Sequence, residues 1–210
     1  MKLSTALRRY LSPQDSPDVL DVRVLLGAVE WLHRKTHDGM VRKEYMLCIV
    51  KLGNQLHTPH EVAGTESKVD QNCDVQNDHY GCYKGSIHIH PPVKADPLDL
   101  HPEGREFLDS YGFSFEDFKE ILKAGDHFAM VVSGPHIYAL YRTAETRPFK
   151  DIGYSEWKKY EKDYDSMFDD LSKSTLLCQE EFTRRMCSRL GYVLYVGPRE
   201  KGLLEKVLVP

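Results

Sequence analysis

The segment Gly85–Pro91, with the sequence Gly-Ser-Ile-His-Ile-His-Pro, constrains the fold of this chain more than any other segment. In a β-strand, successive side chains point to opposite faces. Ile87 and Ile89 therefore share one face, while His88 and His90 share the other. Because proline lacks a backbone N–H, the strand should end directly after the second histidine. The segment predicts a buried strand that carries two adjacent imidazoles near its end.

Helical and strand-like patterns alternate along the rest of the chain. An N-cap pattern at Ser16-Pro17-Asp18, followed by apolar residues at helical spacing, predicts a helix that ends at Asp38-Gly39. Further helices are predicted at 102–110, at 114–123, from about 155 with an aromatic stripe beginning at Tyr154, and at 176–190. Strands are predicted at 44–50, 55–58, 67–69, 83–90, 128–132, 136–142 and 192–196. The order favours an α/β (α+β) fold, a mixed β-sheet flanked by helices.

Length and composition exclude several classes of protein. A chain of 210 residues with 41% hydrophobic content suits one globular domain, or one domain with an appended subdomain. A net charge of -4 provides no basic surface for nucleic acid. No apolar run is long enough to span a membrane, and no secretory signal is visible, so we expect a cytoplasmic protein. The five cysteines contain no C-x-x-C pair and are expected to be reduced.

The two histidines are suited to binding a metal ion. Two imidazoles on one strand face, joined by one ligand from a neighbouring element, would form an open zinc site whose fourth position holds water. Asp117, in the sequence Phe113-Ser114-Phe115-Glu116-Asp117 at a predicted helix start, is the natural third ligand. The alternative third ligands, closer to His90 in the sequence, are Asp96, Asp99 and His101.

Each part of this pattern also has a simpler explanation. The chain contains ten histidines, so H-x-H can arise by chance, and Ser114 and Asp117 have the spacing of a helix capping box. A hydrolase would need a general base near the metal. Glu44, at the start of an apolar strand, is the best placed, whereas Glu61 and Glu66 lie in a polar loop. A charged residue that merely begins a strand would fit position 44 equally well.

Together, Glu44, the H-x-H-P of Gly85–Pro91 and the S-x-x-D of Ser114–Asp117 resemble the signature of the JAMM (MPN+) zinc metalloproteases. The resemblance covers roughly residues 20–142. It implies a JAMM/MPN-like, cytidine-deaminase-like sheet in a core of residues 1–149, with an insertion at 91–112 that is longer than the link usual in the family. Residues 150–210 would then add a C-terminal helical pair and a closing strand, packed on the core.

The resemblance also implies a mechanism. Zn²⁺ would be bound by His88, His90, Asp117 and a water, with Glu44 as general base and later proton donor. Ser114 would stabilise the oxyanion or orient the water. The expected activity is that of a metallopeptidase or isopeptidase acting on a protein or peptide, for example at the C-terminus of a ubiquitin-like protein, as in deubiquitinase-like members.

Two other classes of protein remain as alternatives. One is a non-catalytic MPN-like scaffold, and the other is a binding module in which zinc is structural. A metal-dependent hydrolase with a TIM barrel also places H-x-H at a strand end, but it requires about 250 residues and eight strand-helix units. This chain is shorter and lacks that repeating pattern.

Overall fold

The structure, a computed structural model, describes residues 1–8, 10–37, 43–59, 61–64, 82–90, 93–94, 107–108, 112–168 and 175–208. The helices in these ranges are α1 (Leu3–Ala6), α2 (Leu26–His37), α3 (Phe115–Ala124), α4 (Tyr154–Phe168) and α5 (Thr175–Leu190). The strands are β1 (Val19–Asp21), β2 (Tyr45–Leu52), β3 (Gln55–His57), β4 (Glu61–Ala63), β5 (Cys82–Ile89), β6 (Val93–Lys94), β7 (Phe107–Leu108), β8 (Phe128–Ser133), β9 (His136–Arg142), β10 (Tyr192–Pro198) and β11 (Leu203–Val207). Two 3-10 turns lie at Arg23–Leu25 and Phe149–Asp151.

Nine of these strands form one sheet in the order β1-β11-β10-β9-β8-β5-β2-β3, with β4 paired to β2. Strands β6 and β7 pair separately. Only β5 and β8 run parallel among the described pairs. The chain passes from β5 to β8 through α3, so the helix runs back along the sheet and begins near the end of β5. The predicted mixed sheet with flanking helices is confirmed.

The two faces of the sheet bury separate apolar clusters. Helices α1 and α2 cover one face, where Ile87 and Ile89 pack with side chains from the neighbouring strands. Helices α3, α4 and α5 cover the other face, above Val131 and Leu140. The strand alternation predicted for β5 is therefore confirmed, and it turns the histidines towards the face that α3 covers.

A β-bulge shifts the pairing between β2 and β5 at Ile49 and Val50. Gly85 lies at this irregularity with a φ of +148°. A Cβ at Gly85 would lie 1.6 Å from the carbonyl oxygen of Phe128 in β8. The close approach of the two backbones therefore requires glycine, and the extra residue places Tyr83 on the same face as Ser86.

Several local predictions were wrong. Ser16 does not cap a helix: its hydroxyl donates to the carbonyl oxygen of Ser12, and the next residues form β1. The α-helix begins only at Leu26. Phe107–Leu108, predicted as helix, form a strand. Tyr154 is 79% exposed and does not belong to the buried stripe of α4.

The predicted strand at 67–69 lies outside the described residues.

The segment 150–210 contributes strands to the same sheet as the rest of the chain. Its strand β10 pairs with β9 along seven residues, and β11 pairs with β1 near the N-terminus. Residues 150–210 therefore supply both a helical layer and two strands of the same sheet. Among the residues described, no helix has the length and apolar character that crossing a membrane requires.

The cysteines do not all follow the prediction of reduced thiols. Cys82 and Cys187 are free. Cys48, which is buried in β2, is disulfide-bonded. Local spacing did not reveal this bond, because a disulfide joins residues through the fold and needs no C-x-x-C pattern.

Candidate metal centre

His88 and His90 lie together at the end of β5. His88 is fully buried, opposite Met46 of β2 and level with Val131 of β8. The side chain of His90, two residues further, is 9% exposed. Their Nε2 atoms lie 3.1 Å apart, so both rings face the same point. The ring edge of Phe113 packs against His88 with the centroids 5.9 Å apart.

The N-terminus of α3 supplies the carboxylate. Ser114 is the N-cap, and its Oγ accepts a hydrogen bond from the backbone N–H of Asp117. The Asp117 Oδ2 in turn accepts from the Ser114 N–H at 2.7 Å, which completes a capping box. The capping box and the metal ligand are therefore not alternatives, because the same bonds hold Asp117 in a fixed orientation towards the histidines.

The three side chains have the spacing of metal ligands. Asp117 Oδ1 lies 3.2 Å from His88 Nε2, and Asp117 Oδ2 lies 3.3 Å from His90 Nε2. Two ligands bonded tetrahedrally to zinc at 2.0–2.1 Å would lie about 3.3 Å apart. His88, His90 and Asp117 thus form a group that can hold a metal ion, here called the metal centre.

The charges in the metal centre are strongly coupled. Burial raises the pKa of Asp117, but the charges and hydrogen bonds of His88 and His90 outweigh it and bring the pKa well below its usual range. Burial lowers the pKa of His90, but the Asp117 charge and hydrogen bond and the Glu44 charge raise it overall. Asp117 is therefore an anion ready to bind a cation, and a proton on His90 would compete with a metal ion for the same site.

Glu44 lies beside this group. It directly precedes β2, whose Met46 pairs with His88 and whose Tyr45 pairs with Ile89, so Glu44 comes level with His90. Alternation along β2 places it on the same face as the histidines. Glu44 is 8% exposed, and its charge acts on His90. The structure therefore brings the predicted base close to the predicted ligands.

Of the other candidates for ligand and base, the structure describes only Glu61. Asp96, Asp99, His101 and Glu66 lie outside the described residues. Glu61 of β4 forms an ion pair with Lys35 of α2. That lysine also lies over the rings of Trp31 and Tyr45. The charge of Glu61 is therefore balanced by Lys35 on the surface.

The sequence did not indicate that aromatic side chains of α4 and α5 pack against the start of α3. Tyr164 contacts Phe115, the first residue of α3, and stands edge-on to Phe182 of α5. Burial, followed by the charge of Asp117, raises the pKa of Tyr164 to about 12. The stripe of α4 predicted that Tyr164 faces inward, but nothing in the local pattern indicated that it faces the metal centre.

A second polar group lies further back on the same face of β5. Asp126, which is buried, accepts hydrogen bonds from the Tyr83 hydroxyl at 2.7 Å and from the Ser86 hydroxyl at 2.9 Å. Burial raises the pKa of Asp126 to about 7, although both hydrogen bonds and the charge of Arg142 oppose the shift. We call these three residues the Asp126 cluster. Each carboxylate oxygen has one donor, so the cluster is complete without an ion.

Comparison of the chain with known protein families, with curated proteins and with solved structures finds no match.

Proposed function

We propose that this protein is a zinc-dependent hydrolase of the JAMM (MPN+) type that cleaves a peptide or isopeptide bond. The observation that carries the proposal is the convergence of His88, His90 and Asp117 on one point, with Glu44 beside them. Zinc binds two imidazoles and one carboxylate with a further position open, and the resemblance favours it over iron(II), which binds the same set of ligands.

Zinc held in this site would supply Lewis acidity, which polarises the substrate carbonyl and lowers the pKa of a water. Glu44 is placed to act as general base and would accept a proton from the attacking water. It is well suited to the task because it is nearly buried and close enough for its charge to act on His90. The same carboxyl then returns the proton to the leaving amine, so that Glu44 is restored after each turnover.

Ser114 can act on the reacting carbonyl while it caps α3. The capping bond uses its Oγ as an acceptor, so the hydroxyl proton remains available for donation. A donor fixed at a helix N-terminus costs little reorganisation when negative charge develops on the substrate oxygen. The nature of the amide, a peptide bond or an isopeptide bond at a ubiquitin-like C-terminus, is inferred from the resemblance alone.

The test is Glu44→Gln in zinc-loaded protein, assayed on ubiquitin-aminocoumarin, lysine-linked diubiquitin and unrelated fluorogenic peptides. We expect kcat to fall by about 100-fold or more, because a general base contributes this much, while zinc content remains unchanged. Glu61→Gln, which changes an acid paired with Lys35 away from the metal centre, is the matched control and should retain full activity.

Equal activity of Glu44→Gln and wild type would rule out the assigned base. If wild-type protein binds zinc but is inert on every substrate tested, the binding module with structural zinc becomes the better description.

A further inference from the structure

The backbone that leads into α3 is held by α5, far away in the sequence. The N–H of Phe113 donates to the Thr183 Oγ1 at 2.8 Å, across 70 residues. The single proton of that hydroxyl is within reach of two carbonyl oxygens, those of Gln179 at 2.9 Å and Phe113 at 3.2 Å. Thr183 and Phe113 are both fully buried, so no solvent competes for these bonds.

Gly112 permits this close contact. It has a φ of +87°, and a Cβ at this position would lie 2.4 Å from the Thr183 Oγ1. Its carbonyl oxygen faces the Gln179 side-chain nitrogen at 3.5 Å. Helix α5 therefore contacts the backbone of two successive residues, Gly112 and Phe113.

The backbone at Gly112 and Phe113 leads directly to the metal centre. Phe113 packs its ring edge against His88, the next residue is the N-cap Ser114, and the capping box holds Asp117. The carboxylate ligand Asp117 follows only four positions after the residue whose N–H is held. A small displacement of Phe113 would move Asp117 relative to two histidines that are fixed on a different element, β5.

We propose that Thr183 is a positioning residue for the metal centre: its hydroxyl fixes the backbone of Phe113 so that Asp117 meets His88 and His90 at ligand distance. A threonine inside a helix often donates only to the carbonyl four residues earlier. Thr183 also accepts the Phe113 N–H, which would otherwise be a buried donor without a partner. The C-terminal helical pair is thus part of what sets metal affinity. This inference rests on the proposed metal site.

The test measures zinc affinity by competition with a chelator, and the visible absorption of the Co²⁺-loaded protein, for wild type, Thr183→Val and Thr183→Ser. Valine keeps the shape but removes the hydroxyl, whereas serine keeps the hydroxyl. Partners that orient metal ligands typically change affinity by about 10- to 100-fold. We expect Thr183→Val to lose about this factor and to show an altered Co²⁺ spectrum. Thr183→Ser should stay within about threefold of wild type.

Thr146→Val is the matched control for a purely structural effect. Thr146 is also a nearly buried threonine whose hydroxyl accepts a backbone N–H, from Thr143, and donates to a backbone carbonyl, that of Gly191. His88 lies level with Tyr138 in the sheet, whereas Thr146 follows the far end of β9. We expect Thr146→Val to lower stability while zinc affinity and the Co²⁺ spectrum remain those of wild type.

If Thr183→Val does not fold, as judged by circular dichroism, Thr183→Ala and Thr183→Ser replace it, because they differ only by the hydroxyl. Unchanged zinc affinity in the variant without the hydroxyl would overturn the positioning role, as would an equal loss in Thr146→Val. Wild-type protein that fails to bind zinc at all would instead overturn the metal site itself.

Discussion

The metal centre and the Asp126 cluster lie on the same face of β5, and they differ in how their polar atoms are satisfied. In the Asp126 cluster, two hydroxyl donors meet the two oxygens of one carboxylate. In the metal centre, the Nε2 atoms of the two histidines lie 3.1 Å apart, and each lies 3.2 or 3.3 Å from a carboxylate oxygen of Asp117.

The difference separates a polar group that is already fully paired from one that could hold an ion. Buried polar groups are normally paired one to one, and a fully paired group adds stability to the core. The Nε2 atoms of His88 and His90 face each other, so at most one proton fits between them. Such an arrangement is better satisfied by a cation than by hydrogen bonds among its members. The crowding of these polar atoms therefore supports the proposal that His88, His90 and Asp117 hold a metal ion.

The largest expected effect is loss of zinc when one ligand is removed. Structural zinc sites bind with about 10–16 kcal/mol, so each ligand contributes roughly 4 kcal/mol and its loss should weaken binding about 1000-fold. We expect His88→Ala and Asp117→Ala to fall from about one zinc per chain to almost none after dialysis, measured by elemental analysis, in protein that remains folded. Ser86→Ala, which alters only the Asp126 cluster, should keep its zinc. Full zinc content in both ligand variants would refute the assignment.

The next effect is on stability, and it should fall on the other cluster. Asp126→Ala leaves the buried hydroxyl of Ser86 and the part-buried hydroxyl of Tyr83 without their acceptor, at a cost of about 3 kcal/mol in the free energy of unfolding. Metal-free Asp117→Ala loses a capping box, about 1 kcal/mol, and its contacts with His88 and His90, but the two imidazoles can still hydrogen-bond to each other. Urea denaturation of both variants in the presence of a chelator measures the difference. Equal losses would mean that the two clusters do not differ in the way described.

The smallest effect is a dependence on pH. Because the pKa of Asp126 is raised to about 7 in the folded protein, the folded state holds this proton more tightly than the unfolded state does. The stabilisation is fully present below pH 4 and disappears as the pH rises through about 7. Between pH 5 and pH 8, metal-free wild type should lose up to about 2 kcal/mol relative to Asp126→Asn, which cannot titrate. A stability difference that stays constant over this range would contradict the raised pKa.

Patterns of neighbouring residues predicted the structure correctly where it depends only on residues close in the sequence. The alternation in β5 predicted which side chains share a face, and the spacing of Ser114 and Asp117 predicted the cap of α3. Neither depends on a distant partner, because strand and helix periodicities are properties of a few consecutive residues. The candidate ligands could therefore be chosen before their distances were known.

Local patterns failed where a distant segment decides the outcome. Val19 pairs with Glu205, and this pairing turned a plausible first turn of helix into β1. The Thr183 hydroxyl accepts a hydrogen bond from the N–H of Phe113, 70 residues away in the sequence, and no periodic pattern indicates such a bond. Tyr83 reaches Asp126 only because a bulge shifts it onto the face of Ser86. In each case, tertiary contacts overrode or supplemented the local preference.

The capping box of α3 has a consequence for how quickly the site can exchange its ion. Since Ser114 already holds Asp117 in place, no backbone has to become ordered when a cation arrives. Uptake should then depend on diffusion to the mouth of the site and on release of a proton, rather than on a folding step. Departure of the ion would leave the carboxylate docked on its own helix, ready for the next one.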